Sequence, residues 1–209
     1  VKLILIKTLP ISLLLLAGIN YGLIFPINSM VVQQNSSYFG HAFWQTGISG
    51  FILLVAAKSL RKPICITLDH LKLYFLVGVF GFSVPMSLLT LVSSKIPIGM
   101  TSLVMGLSPA FTYILGVLLR VERLSIYGIC GVGFGFTGLV FLVLPELYLP
   151  SSTILPWFCL ALITPICLAI ANLSASIYQP RDSSALVVGA GYLLAAAITT
   201  LPVAAITNQ

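Results

Sequence analysis

IPIGMTSLVMGLSPAFTYILGVLLRVERLSIYGICGVGFGFTGLVFLVLP, residues 96–145, decides the fold. Two apolar runs of about twenty residues flank the basic turn Arg120–Arg123, and about twenty apolar residues is what a helix needs to cross a bilayer. A membrane-barrel strand would need only about ten, with alternating polarity. These runs are continuously apolar, so the segment reads as a hairpin of two membrane helices.

The same pattern extends in both directions. Apolar stretches fall at roughly 8–32, 40–57, 72–92, 97–119, 124–144, 154–178 and 184–206, with boundaries good to a few residues. The turns between them carry breakers or polar residues: Gln33 to Ser37, Arg61-Lys62-Pro63, Pro145 to Pro150, and Gln179 to Asp182. The expected fold is therefore all-α and integral to the membrane, with seven transmembrane helices. Nine of the ten Lys and Arg residues lie in alternate turns, and Lys95 alone lies on the other face. Basic residues mark the cytoplasmic side, so the N-terminus is expected inside and the C-terminus outside.

Composition agrees. Hydrophobic residues make up 59% and charged residues 7%, against about 25% charged in a soluble domain. The net charge of +6 comes from scattered cations with no dense basic stretch, which argues against nucleic acid and for topology signals that favour anionic headgroups. The first apolar run follows two lysines, but it is too long for a signal peptide and six more stretches follow it. The chain begins with Val, which suggests a missing start. Cys65, Cys130, Cys159 and Cys167 contain no C-x-x-C pair and have no His at zinc spacing. No cofactor or metal is expected.

No Asp, Glu, Lys or Arg falls near the middle of a predicted span. Intramembrane proteases, proton pumps and metal transporters need such groups at depth. Serines in the spans have no acid or His to activate them, so no catalytic residue is assigned. The remaining polarity is uncharged and falls in helical stripes. These are Asn20 and Asn28; Gln45 and Ser49; Ser83, Ser87, Thr90 and Ser94; Ser102, Pro109 and Thr112; and Asn172 and Ser176. Serine and threonine here are most simply explained by hydrogen bonds within and between helices. Asn and Gln facing lipid are costlier. The candidate cavity residues are Asn20, Asn28, Gln45, Ser83, Pro109, Thr112 and Asn172.

Prolines at 26, 85, 109 and 165 lie inside spans. Each removes a backbone donor and frees a carbonyl, which is tolerable in lipid only against protein or a water-filled cavity. Gly18-x-x-x-Gly22 and Gly131-x-x-x-Gly135 mark close-packing faces. Packing within the chain is the simpler use of them, and a homo-oligomer through them stays open. An offset of 144 residues lays Asn28 on Asn172 and Gly47 on Gly191, a faint internal repeat of the kind transporters use.

Residues 96–145 resemble the EamA-type domain of the drug/metabolite transporter superfamily. The resemblance rests on central Pro109, Glu122 in the following turn, and the glycines at 128, 131 and 138. GINYGLIFPINS looks like the family's first helix, and LALITPICLAIANLSASIYQPR like the start of its second repeat. The resemblance implies one five-helix repeat over 8–145 and the first two helices of a second, inverted repeat over 154–209. It further implies a multi-pass protein of the plasma (inner) membrane that exports a small metabolite or drug by alternating access. Two departures stand out. Gln45-Thr46 replaces an Arg common in the family, and the chain stops two helices into its second repeat. Glu122 is expected to pair locally with Arg120 and Arg123. The other reading is a non-transporting assembly partner or transporter remnant.

Overall fold

The computed structural model describes residues 2–33, 38–64, 66–147, 154–179 and 183–206, and all regular structure among them is helical. Parts of the predicted turns, Gln34–Ser37, Tyr148–Pro150 and Pro180–Asp182, and Cys65 lie outside the described residues. Helix α1 runs Lys2–Gln33 and α2 Tyr38–Ser59. Helix α3, Leu68–Gly78, continues through a π-helical turn, Val79–Ser83, into α4, Val84–Ser93. Next come α5, Ile98–Met105, and α6, Ser108–Leu118; then α7, Ile126–Leu147. Helices α8, Ile154–Ala161, α9, Ile163–Tyr178, and α10, Ala185–Ile206, complete the order. Among the described residues five stretches are long and apolar enough to cross a membrane: Phe39–Ser59, Leu68–Ser93, Gly99–Leu118, Leu155–Tyr178 and Ala185–Ile206. Ile11–Ile24 and Ile126–Gly138 are shorter apolar stretches within the described residues.

Three of the four mid-span prolines coincide with an interruption. Pro85 is fully buried and directly follows the π turn, whose Val84 N–H donates to the Val79 carbonyl five residues back. A proline ring clashes with the carbonyl four residues before it. Widening one turn relieves that clash without ending the helix. Pro109 sits in the first turn of α6, just after the break at Gly106-Leu107. Pro165 sits in the first turn of α9, just after the break at Leu162. Helix α1 runs unbroken through Pro26.

Helix α10 is the packing centre, lying along α2 and against α3 and the π turn, while α9 lies on α3, α4 and α6. Helices α2 and α10 run antiparallel, because added Cβ atoms at Gly47, Gly50 and Gly189 would meet Ala197, Leu194 and Leu53 at 3.6, 3.0 and 3.3 Å. At Gly78 the fit is tighter. A Cβ there would lie 2.8 Å from the Tyr192 carbonyl oxygen and 2.9 Å from the Ala196 nitrogen. Only glycine lets these two backbones approach so closely. The expected close-packing glycines behave differently: Gly18, Gly22 and Gly131 meet nothing within 4 Å, and only Gly135 of those four has a neighbour, Leu107 at 3.7 Å. Every side chain from Ile11 to Leu23 on α1 is exposed among the described residues.

Two helix ends close on an arginine. Arg61 and Arg120 have φ of 50° and 59°. At the first, Lys62 N–H donates to Ala57 O and Arg61 N–H to Lys58 O; at the second, Val121 N–H donates to Gly116 O and Arg120 N–H to Val117 O. These are paired bonds of a Schellman closure, in which the left-handed position is usually glycine.

Candidate substrate cavity

A cavity of about 220 Å³ opens between the start of α2, the end of the π turn, α4 and the second half of α10. Phe39, Ser83, Ser87, Leu91, Thr200 and Val203 are among its lining residues. The π turn places Ser83 here, and Ser87 follows one turn later on α4. Most hydroxyls nearby are spent locally. Thr90 donates to Met86 O at 2.7 Å, Ser93 to Leu89 O at 2.7 Å, and Thr200 to Ala196 O at 3.0 Å. No hydrogen bond among the described residues engages the Ser83 or Ser87 hydroxyl.

The other sequence-derived candidates are dispersed. Asn20 is exposed on α1, with its Nδ2 donating to Leu16 O at 2.8 Å. The Asn28 side chain lies outside the described residues. Gln45 is half-buried on α2, and its Oε1 is buried with no partner among the described residues. Pro109 is exposed; Thr112 is half-buried and donates to Ser108 O at 2.8 Å; Asn172 is exposed on α9. Of the seven candidates, Ser83 lines the cavity. Phe39 and Val203 escape a reading by polar stripes because neither is polar. The adjacent Thr199 and Thr200, a polar pair in an apolar run, are the signal that points to α10.

Glu122 differs from expectation. No ion pair joins it to Arg120 or Arg123 among the described residues. Its N–H donates to Gly116 O at 3.1 Å, and its side chain folds back over Gly116, whose added Cβ would lie 2.9 Å from the Glu122 Cγ. Nearby, the Tyr113 hydroxyl accepts from Ser125 N–H at 2.7 Å, and its ring lies directly against Gly128. Two of the glycine and glutamate positions that carry the resemblance thus shape this turn.

His70, in the first turn of α3, is 7% exposed and bonded on both sides. Its Nδ1 is 2.6 Å from Thr67 Oγ1, and its Nε2 is 2.9 Å from Ser183 Oγ, 113 residues away. Its ring meets Tyr74 edge-on, and Tyr74 meets Tyr192 in the same manner. This ties the loop before α3 to the start of α10. Sequence spacing offers no signal for a pairing of such separation.

An all-helical, multi-pass membrane protein with proline-interrupted spans is the class that this arrangement defines. The sequence profile of the EamA-like transporter family matches residues 8–144. The chain belongs to that family, a family of membrane transporters. No curated protein and no solved structure matches it.

Proposed function

We propose that this protein moves a small metabolite or drug across the membrane by alternating access, in the direction of efflux. In this reading all seven helical stretches cross the plasma membrane with the N-terminus cytoplasmic. Residues 8–145 are one five-helix repeat, and 154–209 begin an inverted second one. The observation that carries the reading is the π turn at Val79–Ser83, which leaves two serine hydroxyls uncommitted at a cavity beside a broken helix. Interrupted helices are where transporters build their sites. The packing of α2 on α10 supports the repeat. Under the 144-residue offset Gly50 and Leu194 are counterparts, and they meet at the antiparallel crossing, as an axis between inverted repeats requires. The His70–Ser183 bridge would then hold one end closed between the repeats.

The test is flux of a broad amino-acid and drug panel into vesicles containing the protein, compared with empty vesicles. A transported solute should lose roughly three- to tenfold in apparent affinity with Ser83→Ala, the value of one hydrogen bond. Flux no greater than in empty vesicles across the panel would count against transport. One observation favours the assembly-partner reading instead. Asn20 presents an amide on a helix whose residues from Ile11 to Leu23 are all exposed among the described residues, and an amide in lipid seeks a protein neighbour. Crosslinking from Asn20→Cys to another polypeptide, with no flux, would select that reading.

A further inference from the structure

A second concavity lies along the α2–α10 packing, on the side of the start of α10, and the cavity that holds Ser83 begins where it ends, at Thr200. Its volume is about 500 Å³, and Leu54, Ile64, Ile66, Phe75, Leu194 and Ile198 are among its lining residues. It is an apolar groove between α2, the loop from Leu60 to Thr67, α3 and α10. On α10 it extends from Val187 to Thr199. Twelve residues of helix rise about 18 Å, a little over half the hydrocarbon thickness of about 30 Å. The groove therefore runs from the interface to about mid-bilayer, the depth of one leaflet.

The mouth of the groove is basic. Lys62 precedes Ile64 by two residues, so their Cα atoms are at most about 7 Å apart. Arg61 is one residue further back, and Lys58 lies one turn beyond Leu54 on α2. All three cations are exposed, and no carboxylate among the described residues pairs with them. The ion pair nearby is Asp69 with Lys72, at 3.9 Å. The Schellman closure fixes the backbone of Arg61 and Lys62. Ile64 and Ile66, 45% and 66% exposed, extend the apolar lining into the loop itself. A concave acyl-length groove capped by fixed, unpaired cations matches one ligand chemistry at both ends.

We propose that this groove is a binding site for an anionic phospholipid, with one acyl chain along α10 and the headgroup phosphate against Arg61 and Lys62. Juxtamembrane cations attract acidic headgroups, and the groove adds selection for a lipid that remains seated there.

The experiment is retention of phosphatidylglycerol against phosphatidylcholine by the intact chain, read by native mass spectrometry from mixed micelles of the two lipids. Phosphatidylglycerol should be retained preferentially. Arg61→Gln with Lys62→Gln should weaken that retention about 25-fold, at about fivefold per cation. Ile198→Trp fills the groove from a position that is 71% exposed, so it leaves the packing intact, and it should abolish retention with all cations present. Equal retention of the two lipids by the unmodified chain overturns the proposal. Loss with the charge variant but not with Ile198→Trp also overturns it, because the loop would then bind headgroups without the groove.

Discussion

At the residue scale, what a glycine faces decides its worth. Gly78 and Gly131 both sit in apolar helices, yet a Cβ at the first meets backbone atoms of α10 and at the second meets nothing. Backbone cannot rotate away as a side-chain tip can. Gly78→Val should therefore cost about 1–3 kcal/mol by overpacking. Gly131→Ala should be neutral or stabilising by up to about 1 kcal/mol, from helix propensity alone. Thermal unfolding of the two variants in detergent checks the contrast in sign. The sequence places both residues in apolar helices and gives no means of ranking them, because the difference belongs to the neighbouring helix.

At the scale of elements, proline interruptions and arginine closures matter most. The sequence supplied the interruptions: Pro85, Pro109 and Pro165 were legible as breaks from the chemistry of one ring. It did not supply their form. Around Pro85 the chain forms a π turn, with α3 before it packed on α9 and α10 and α4 after it packed on α9. Pro109 and Pro165 instead separate two helices each. Pro85→Ala removes the clash that widens the turn. Reversion to regular α-helix would rotate the preceding segment by about 100° relative to α4. Labelling of Ser83→Cys by a water-soluble maleimide should then fall sharply in the Pro85→Ala background, with the chain still folded. Unchanged labelling would mean that α9 and α10, not the proline, impose the π turn. At the closures, Arg120 takes a left-handed conformation that costs an L-residue roughly 1–2 kcal/mol. Arg120→Gly should stabilise the end of α6 by about 1 kcal/mol, read as a higher unfolding temperature.

At the scale of the whole molecule, the bridge from His70 to Ser183 joins segments 113 residues apart. If it closes one end of a two-state device, it should matter more to flux than to stability. A double-mutant cycle with His70→Ala and Ser183→Ala should give a coupling of about 1 kcal/mol in unfolding. The same variants should change the rate of solute exchange, and equal rates would reduce the bridge to a structural contact. A homo-oligomer through the open faces of Gly18, Gly22 and Gly131 is a separate proposal, checked by the mass of the particle in detergent.

The amino-acid sequence by itself determined that this is a helical membrane protein, roughly where most of its helices lie, and the interruption of a helix at three of its four mid-span prolines. Those properties depend on local chemistry: a run of apolar residues, a missing N–H, a cation that resists translocation. It also carried the family resemblance, through Pro109, Glu122 and the glycines after them. Only the tertiary structure decided which polar residues meet. Asn20, Gln45, Thr112 and Asn172 are uncharged polar residues like Ser83 but do not share its surroundings, and Phe39 joins Ser83 from a helix whose sequence does not announce it. Helical periodicity tells which residues share a face. Which face lies against a neighbour, and which is left to lipid or solute, depends on packing between segments far apart in the chain.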